Sequence, residues 1–98
     1  MKYQVIARVI GPMPFFYEVA HAIWGKDINF DSDGDSDMAG SHRWRELTVS
    51  LRPGNIERLD IDSTGRDRNV IQLIATHEHV LRNAVDFLCR CGSIFPVT

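Results

Sequence analysis

Between positions 44 and 75, three runs of alternating apolar and polar residues follow one another with short turns between them. In the first, Leu47, Val49 and Leu51 alternate with Thr48, Ser50 and Arg52, the period of two required of a strand with one buried and one wetted face. Pro53-Gly54-Asn55 then offers a fixed φ, a residue free to take positive φ and a side chain that bonds its own backbone, so a hairpin is expected. Its return arm over 56–62 turns Leu59 and Ile61 inward between Arg58, Asp60 and Asp62, while Ile56 falls out of phase and marks a bulge near the turn. After a second reversal at 63–67 comes Val70-Ile71-Gln72-Leu73-Ile74-Ala75, apolar on both sides except at Gln72. Such a strand is expected to be central and covered on both faces, or covered on one face at an edge.

The flanking segments follow the same logic. Tyr3, Val5, Ala7 and Val9 alternate with Gln4, Ile6, Arg8 and Ile10, a strand that Gly11-Pro12 ends. Pro14 suits the first turn of a helix, and Phe16, Val19, Ala20, Ile23 and Trp24 form one helical stripe before Gly25, a natural C-terminal cap. Phe15 and Tyr17 fall at the margin of that stripe or face a partner. A short edge strand is expected at 27–30 and a loop at 31–41, where no apolar periodicity remains. Thr76 is the expected N-cap of a second helix with Glu78 in its first turn, a stripe of Val80, Leu81, Ala84, Val85 and Leu88, Arg90 in its last turn and Gly92 beyond. Residues 94–97 read as a terminal strand that Pro96 confines to an edge. The pattern therefore predicts one α+β domain over 1–98, a mainly antiparallel sheet of four to five strands with two helices packed on one face.

Composition narrows the partners. Ninety-eight residues suffice for a single core, and a net charge of −2 provides no general field for nucleic acid or membrane. The arginines at 43, 45, 52, 66 and 68 are interleaved with acids, which excludes a nucleic-acid groove. No stretch approaches the roughly twenty apolar residues of a membrane span, and the opening apolar run, interrupted by Arg8 and Gly11-Pro12, is not expected to be a secretory signal. With only Cys89 and Cys91, one residue apart, no unstrained disulfide forms, and a reduced, cytoplasmic protein is expected.

Candidate chemistry is sparse. Five aspartates lie between positions 27 and 37. A calcium loop starting at Asp31 would use Asp33 and Asp35, but Ser36 occupies its glycine position and His42 its glutamate position, so no metal is expected. His77, His79, Cys89 and Cys91 have zinc-binding atoms, yet on one helix Cys89 would stand roughly 18 Å from His77 along the axis. No signature of a nucleophile with its base, and no glycine-rich phosphate loop, is present, so neither an enzyme nor a cofactor is expected. What remains is an acidic recognition surface that would steer a basic partner, to which the hairpin adds Glu57, Asp60 and Asp62.

With its single acidic domain, the strand Trp-Arg-Glu-Leu-Thr-Val at 44–49 and the helix end Asp-Phe-Leu at 86–88, the chain resembles the small immunity proteins of bacterial polymorphic and contact-dependent growth-inhibition toxin systems. The resemblance implies a stoichiometric inhibitor that binds a cognate toxin domain, frequently a basic nuclease, and blocks its active site. The expected partner-binding residues are Asp31, Asp33, Asp35, Asp37, Glu57, Asp60 and Asp62, with Trp44 or Tyr17 as aromatic anchor. The alternatives are a ferredoxin-like small-molecule-binding regulatory module that dimerises through a sheet edge, and a small hydrolase using Cys89.

Overall fold

Along residues 3–34, 41–54 and 56–97, which the computed structural model describes, the elements run β1 (Tyr3–Val9), α1 (Phe16–Trp24), β2 (Phe30–Gly34), β3 (Leu47–Leu51), β4 (Arg58–Ser63), β5 (Val70–Ala75), α2 (Glu78–Arg90) and β6 (Ile94–Pro96). The strands form one sheet in the order β2-β3-β4-β5-β1-β6, every neighbouring pair antiparallel. From β1 the chain crosses through α1 to the far edge, returns strand by strand to lie beside β1 again, and crosses through α2 to the opposite edge. The elements β1, α1, β4, β5, α2 and β6 thus make a split β-α-β arrangement, with β2 and β3 inserted after α1.

Register explains the core. Leu47, Ile61 and Leu73 lie in one row across β3, β4 and β5, and Val49, Leu59 and Ala75 in the next. All six are buried, against Val19, Ala20 and Ile23 of α1 and Val80, Leu81, Ala84 and Leu88 of α2. Both helical stripes are those the spacing predicts. Gly25 takes φ 98° just past α1, and the Glu18 carboxylate accepts the Phe15 N–H at 3.0 Å in place of a side-chain cap.

Several expectations are corrected. The sheet has six strands among the described residues, not four to five. The edge strand expected at 27–30 runs instead over Phe30–Gly34, so Asp31 and Asp33 belong to a strand and not to a loop. The outer edge of β3 needs hydrogen-bond partners, and β2 supplies them; Phe30 packs against the core, while Ser32 and Gly34, next on the same side of the strand, give no apolar signal. Gly34 is required there: at φ 144°, a Cβ would stand 2.1 Å from the Glu46 carbonyl oxygen. Between β4 and β1, β5 is interior to the sheet but covered on one face only. Thr76 does not cap α2, because its hydroxyl accepts the Arg58 N–H at 2.9 Å and its own N–H donates to the Arg58 carbonyl, prolonging the ladder; His77 takes the cap position. Cys89 and Cys91 are both exposed: Cys89 falls off the buried stripe of α2 and Cys91 lies just past its end. Ile56 is 73% exposed, and Asn55 lies outside the described residues.

Candidate interaction surface on the uncovered sheet face

The helices cover one face of the sheet, and alternation delivers a different set of side chains to the other. One row reads Asp33, Thr48, Asp60, Ile74 and Gln4 across β2, β3, β4, β5 and β1; the next reads Asp62, Gln72 and Ile6. Asp31 lies on the same face of β2, opposite Ser50. Four carboxylates separated by up to 31 positions in the chain, those of Asp31, Asp33, Asp60 and Asp62, therefore share one end of one surface.

Their partners divide them. Arg52 reaches Asp31 at 2.7 Å, and Arg58 grips both oxygens of Asp60 through Nε at 3.2 and 3.0 Å while Thr48 donates to it at 2.6 Å. The hydrogen bond and charge of Asp60 hold the Arg58 guanidinium protonated more firmly than usual. Asp33 accepts only the Gly34 N–H, at 2.9 Å, and among the described residues neither Asp33 nor Asp62 has an ion-pair partner. A shallow groove of about 240 Å³ runs between them, lined also by Glu46, Thr48 and Asp60. Two neutralised and two free carboxylates leave this end of the face moderately negative.

The other end is apolar. Val70 and Ile74 of β5 and Ile6 of β1 are half-buried there, while Phe95 is 63% and Val97 54% exposed. Phe95 lies beside Arg8, which is paired at 3.4 Å with Asp67. Sequence reading missed this end. Its signal was present in the apolar residues on both sides of β5 and at Ile6, which were read as burial.

The remaining expected site residues lie elsewhere. Asp35 and Asp37 are outside the described residues. Trp44 is 1% exposed and its indole N–H donates to the Pro14 carbonyl at 2.7 Å, so it is a core residue and offers no surface anchor. Glu57 sits at the helix layer, accepting Trp24 Nε1–H at 3.1 Å and bonded to His79 Nε2 at 2.6 Å. Burial alone would raise its pKa, but the hydrogen bonds from His79 and Trp24, with the charges of His79 and His77, together hold it below the ordinary value. Tyr17 is half-buried, stacked on Phe15 at 5.5 Å, and borders a groove of about 520 Å³ between α1 and α2 with His21, Phe87, Lys26 and Arg90.

The residues of the zinc and thiol readings stand apart in the fold. His77 and His79 open α2 whereas Cys89 and Cys91 close it, and among the described residues no group of three or more His, Cys, Asp or Glu side chains is arranged to hold a metal ion. Burial, with the charge of Asp86, pushes the Cys89 thiol up, away from the thiolate. Among the described residues no helix is long and apolar enough to cross a membrane. Comparison with known proteins finds no matching family model, no matching curated protein and no matching solved structure.

Proposed function

We propose that this chain is an immunity protein that neutralises a cognate bacterial toxin domain in the cytoplasm by covering a basic surface of it. The observation that carries the reading is the gathering of Asp31, Asp33, Asp60 and Asp62 on the one sheet face the helices leave open. Carboxylates in such positions add nothing to the core, and their field steers a basic domain toward the face. A nuclease, which must bind a polyanion, carries such a surface. Glu57 and Trp44 take no part, since one is engaged by Trp24 and His79 and the other is buried.

The reading frame immediately upstream is expected to encode a large secreted protein with a variable C-terminal domain, and the test is co-expression of this chain with that domain. Growth rescue and a stable one-to-one complex are expected; continued toxicity with no complex would remove the proposal. A second reading, a small-molecule-binding module, draws on the groove of about 520 Å³ between the helices, where Lys26 and Arg90 border Tyr17 and Phe87. It predicts a metabolite that raises the melting temperature in the absence of any protein partner.

A further inference from the structure

The groove between α1 and α2 is built on rings that their neighbours already hold in place. Tyr17 stacks on Phe15 at 5.5 Å and meets His21 edge-on at 5.8 Å, and His21 in turn stands edge-on to Phe30 at 6.1 Å. Phe87 lines the α2 side, half-buried, and Ala22, with a single methyl group, leaves the hollow of about 520 Å³ open between them. A second hollow of about 490 Å³, along Asn83, Asp86 and Cys89 of α2, meets the first at Ala22 and Arg90. Volumes of this size, lined by apolar rings with a few polar groups at the rim, are those of small-molecule sites.

The rim is unbalanced in charge. Lys26, just past the end of α1, and Arg90, in the last turn of α2, border the larger hollow with one carboxylate, that of Glu18, which accepts the Phe15 N–H at 3.0 Å. Among the described residues neither cation has an ion-pair partner, in a chain whose acids outnumber its bases. Arg90 directs Nε to the Asp86 carbonyl, 3.4 Å away, and its two terminal NH2 groups have no acceptor among the described residues. A planar fork presented in this way takes a carboxylate on two parallel hydrogen bonds.

We propose that this groove binds a flat aromatic carboxylate, with its rings against Tyr17 and Phe87 above Ala22, its carboxylate on the Arg90 guanidinium, and Lys26 adding to the positive field. The inference rests on the small-molecule reading of the groove, which it narrows to one ligand class, and it is independent of the toxin reading. Ring geometry selects an aromatic body over an aliphatic one: stacked and edge contacts stabilise a flat ligand beyond the area it buries, and rings already held by their neighbours lose little freedom. Sign selects an acid over an amine, because a cation would meet Lys26 and Arg90 with only the engaged Glu18 carboxylate in its favour.

The experiment titrates the isotope-labelled chain with 2-naphthoate, its uncharged isostere 2-naphthamide and the flexible acid decanoate, following backbone amide resonances. 2-Naphthoate is expected to shift the resonances of Tyr17, His21, Ala22, Phe87 and Arg90 saturably. The amide is expected to bind roughly 10-fold more weakly and decanoate about 5-fold more weakly. Arg90→Gln is expected to weaken 2-naphthoate about 10-fold and leave 2-naphthamide unchanged, whereas Ala22→Leu fills the hollow and weakens both. Thermal melts check folding, and Arg90→Gln, at an exposed side chain, carries the test where Ala22→Leu fails to fold. If 2-naphthamide or decanoate binds as tightly as 2-naphthoate, or Arg90→Gln keeps the preference for the acid, the inference falls and the small-molecule reading stands. If none of the three shifts the groove resonances at millimolar concentration, both fall. Resonances that move with protein concentration alone, in a chain that sediments as a dimer, identify a second copy as occupant and overturn the proposal.

Discussion

Glu57 and His79, 22 residues apart, meet at 2.6 Å where the strand β4 hairpin touches the first turn of α2, and the same carboxylate accepts the indole N–H of Trp24 from α1. One side chain thus joins both helices to the sheet. Its pKa is depressed in the folded chain from an ordinary 4.5, so the stabilisation it provides is complete above that value and is lost as pH falls through the lower folded-state value. Glu57→Ala leaves Trp24 without its acceptor and is expected to cost about 1 kcal/mol at pH 7, a difference that narrows on acidification below pH ~4. Thermal melts of the two proteins across pH 3–7 check this; a gap that widens in acid would contradict it.

Trp44→Phe separates a core role from a binding role. Removing the indole N–H strands the Pro14 carbonyl and opens a void in a site that is 1% exposed. A loss of about 1–3 kcal/mol is expected, and under the proposed function affinity for the partner is unchanged while the protein remains folded. Reduced affinity with an unchanged melt would return Trp44 to the interface.

Gly34→Ala tests the attachment of β2. The added methyl meets the Glu46 carbonyl at 2.1 Å and the backbone at φ 144° is hostile to any side chain, so β2 must shift or detach. The expected cost is about 2 kcal/mol or more, seen as a lower melting temperature and as loss of hydrogen-exchange protection at Asp31 and Asp33, whose N–H groups face β3. Protection equal to wild type would show that the approach is not as tight as the geometry gives it.

Cys89 and Cys91 are exposed, so access does not limit their reaction; their protonation does. Partial desolvation by the surrounding protein and the charge of Asp86 raise the first thiol, and partial desolvation with the charge of Glu18 raises the second against the opposing charge of Arg90. Iodoacetamide at pH 7.5 is expected to modify both more slowly than it modifies an unstructured cysteine peptide. Rapid modification of Cys89 would favour the hydrolase alternative.

The periodic parts of the chain were legible. Alternation at 47–51, 58–63 and 70–75 and the stripes of α1 and α2 each place one set of residues in the core, because burial enforces the pattern. Residues whose positions depend on distant partners were not. β2 exists because β3 offers it an edge, and Ser32 and Gly34 leave no trace of this in a hydrophobicity pattern. Trp44 is drawn inward by Pro14, 30 residues earlier, a contact no local window contains. The acidic site was half legible: Asp60 and Asp62 alternate outward by period alone, but their meeting with Asp31 and Asp33 depends on strand order. On β5 the pattern misled, since Val70 and Ile74 carry the apolar character of buried residues on a face that no helix covers.

The two outermost strands discourage addition of a further one. Val97 N–H is spent on the Ile6 carbonyl, so alternation turns the Pro96 nitrogen, which bears no hydrogen, toward the vacant side of a strand only three residues long. At the opposite margin an incoming chain would pass two aspartates and then the kinked backbone of Gly34. Neither margin therefore presents a long run of unpaired backbone, and the folded chain resists templating its own polymerisation.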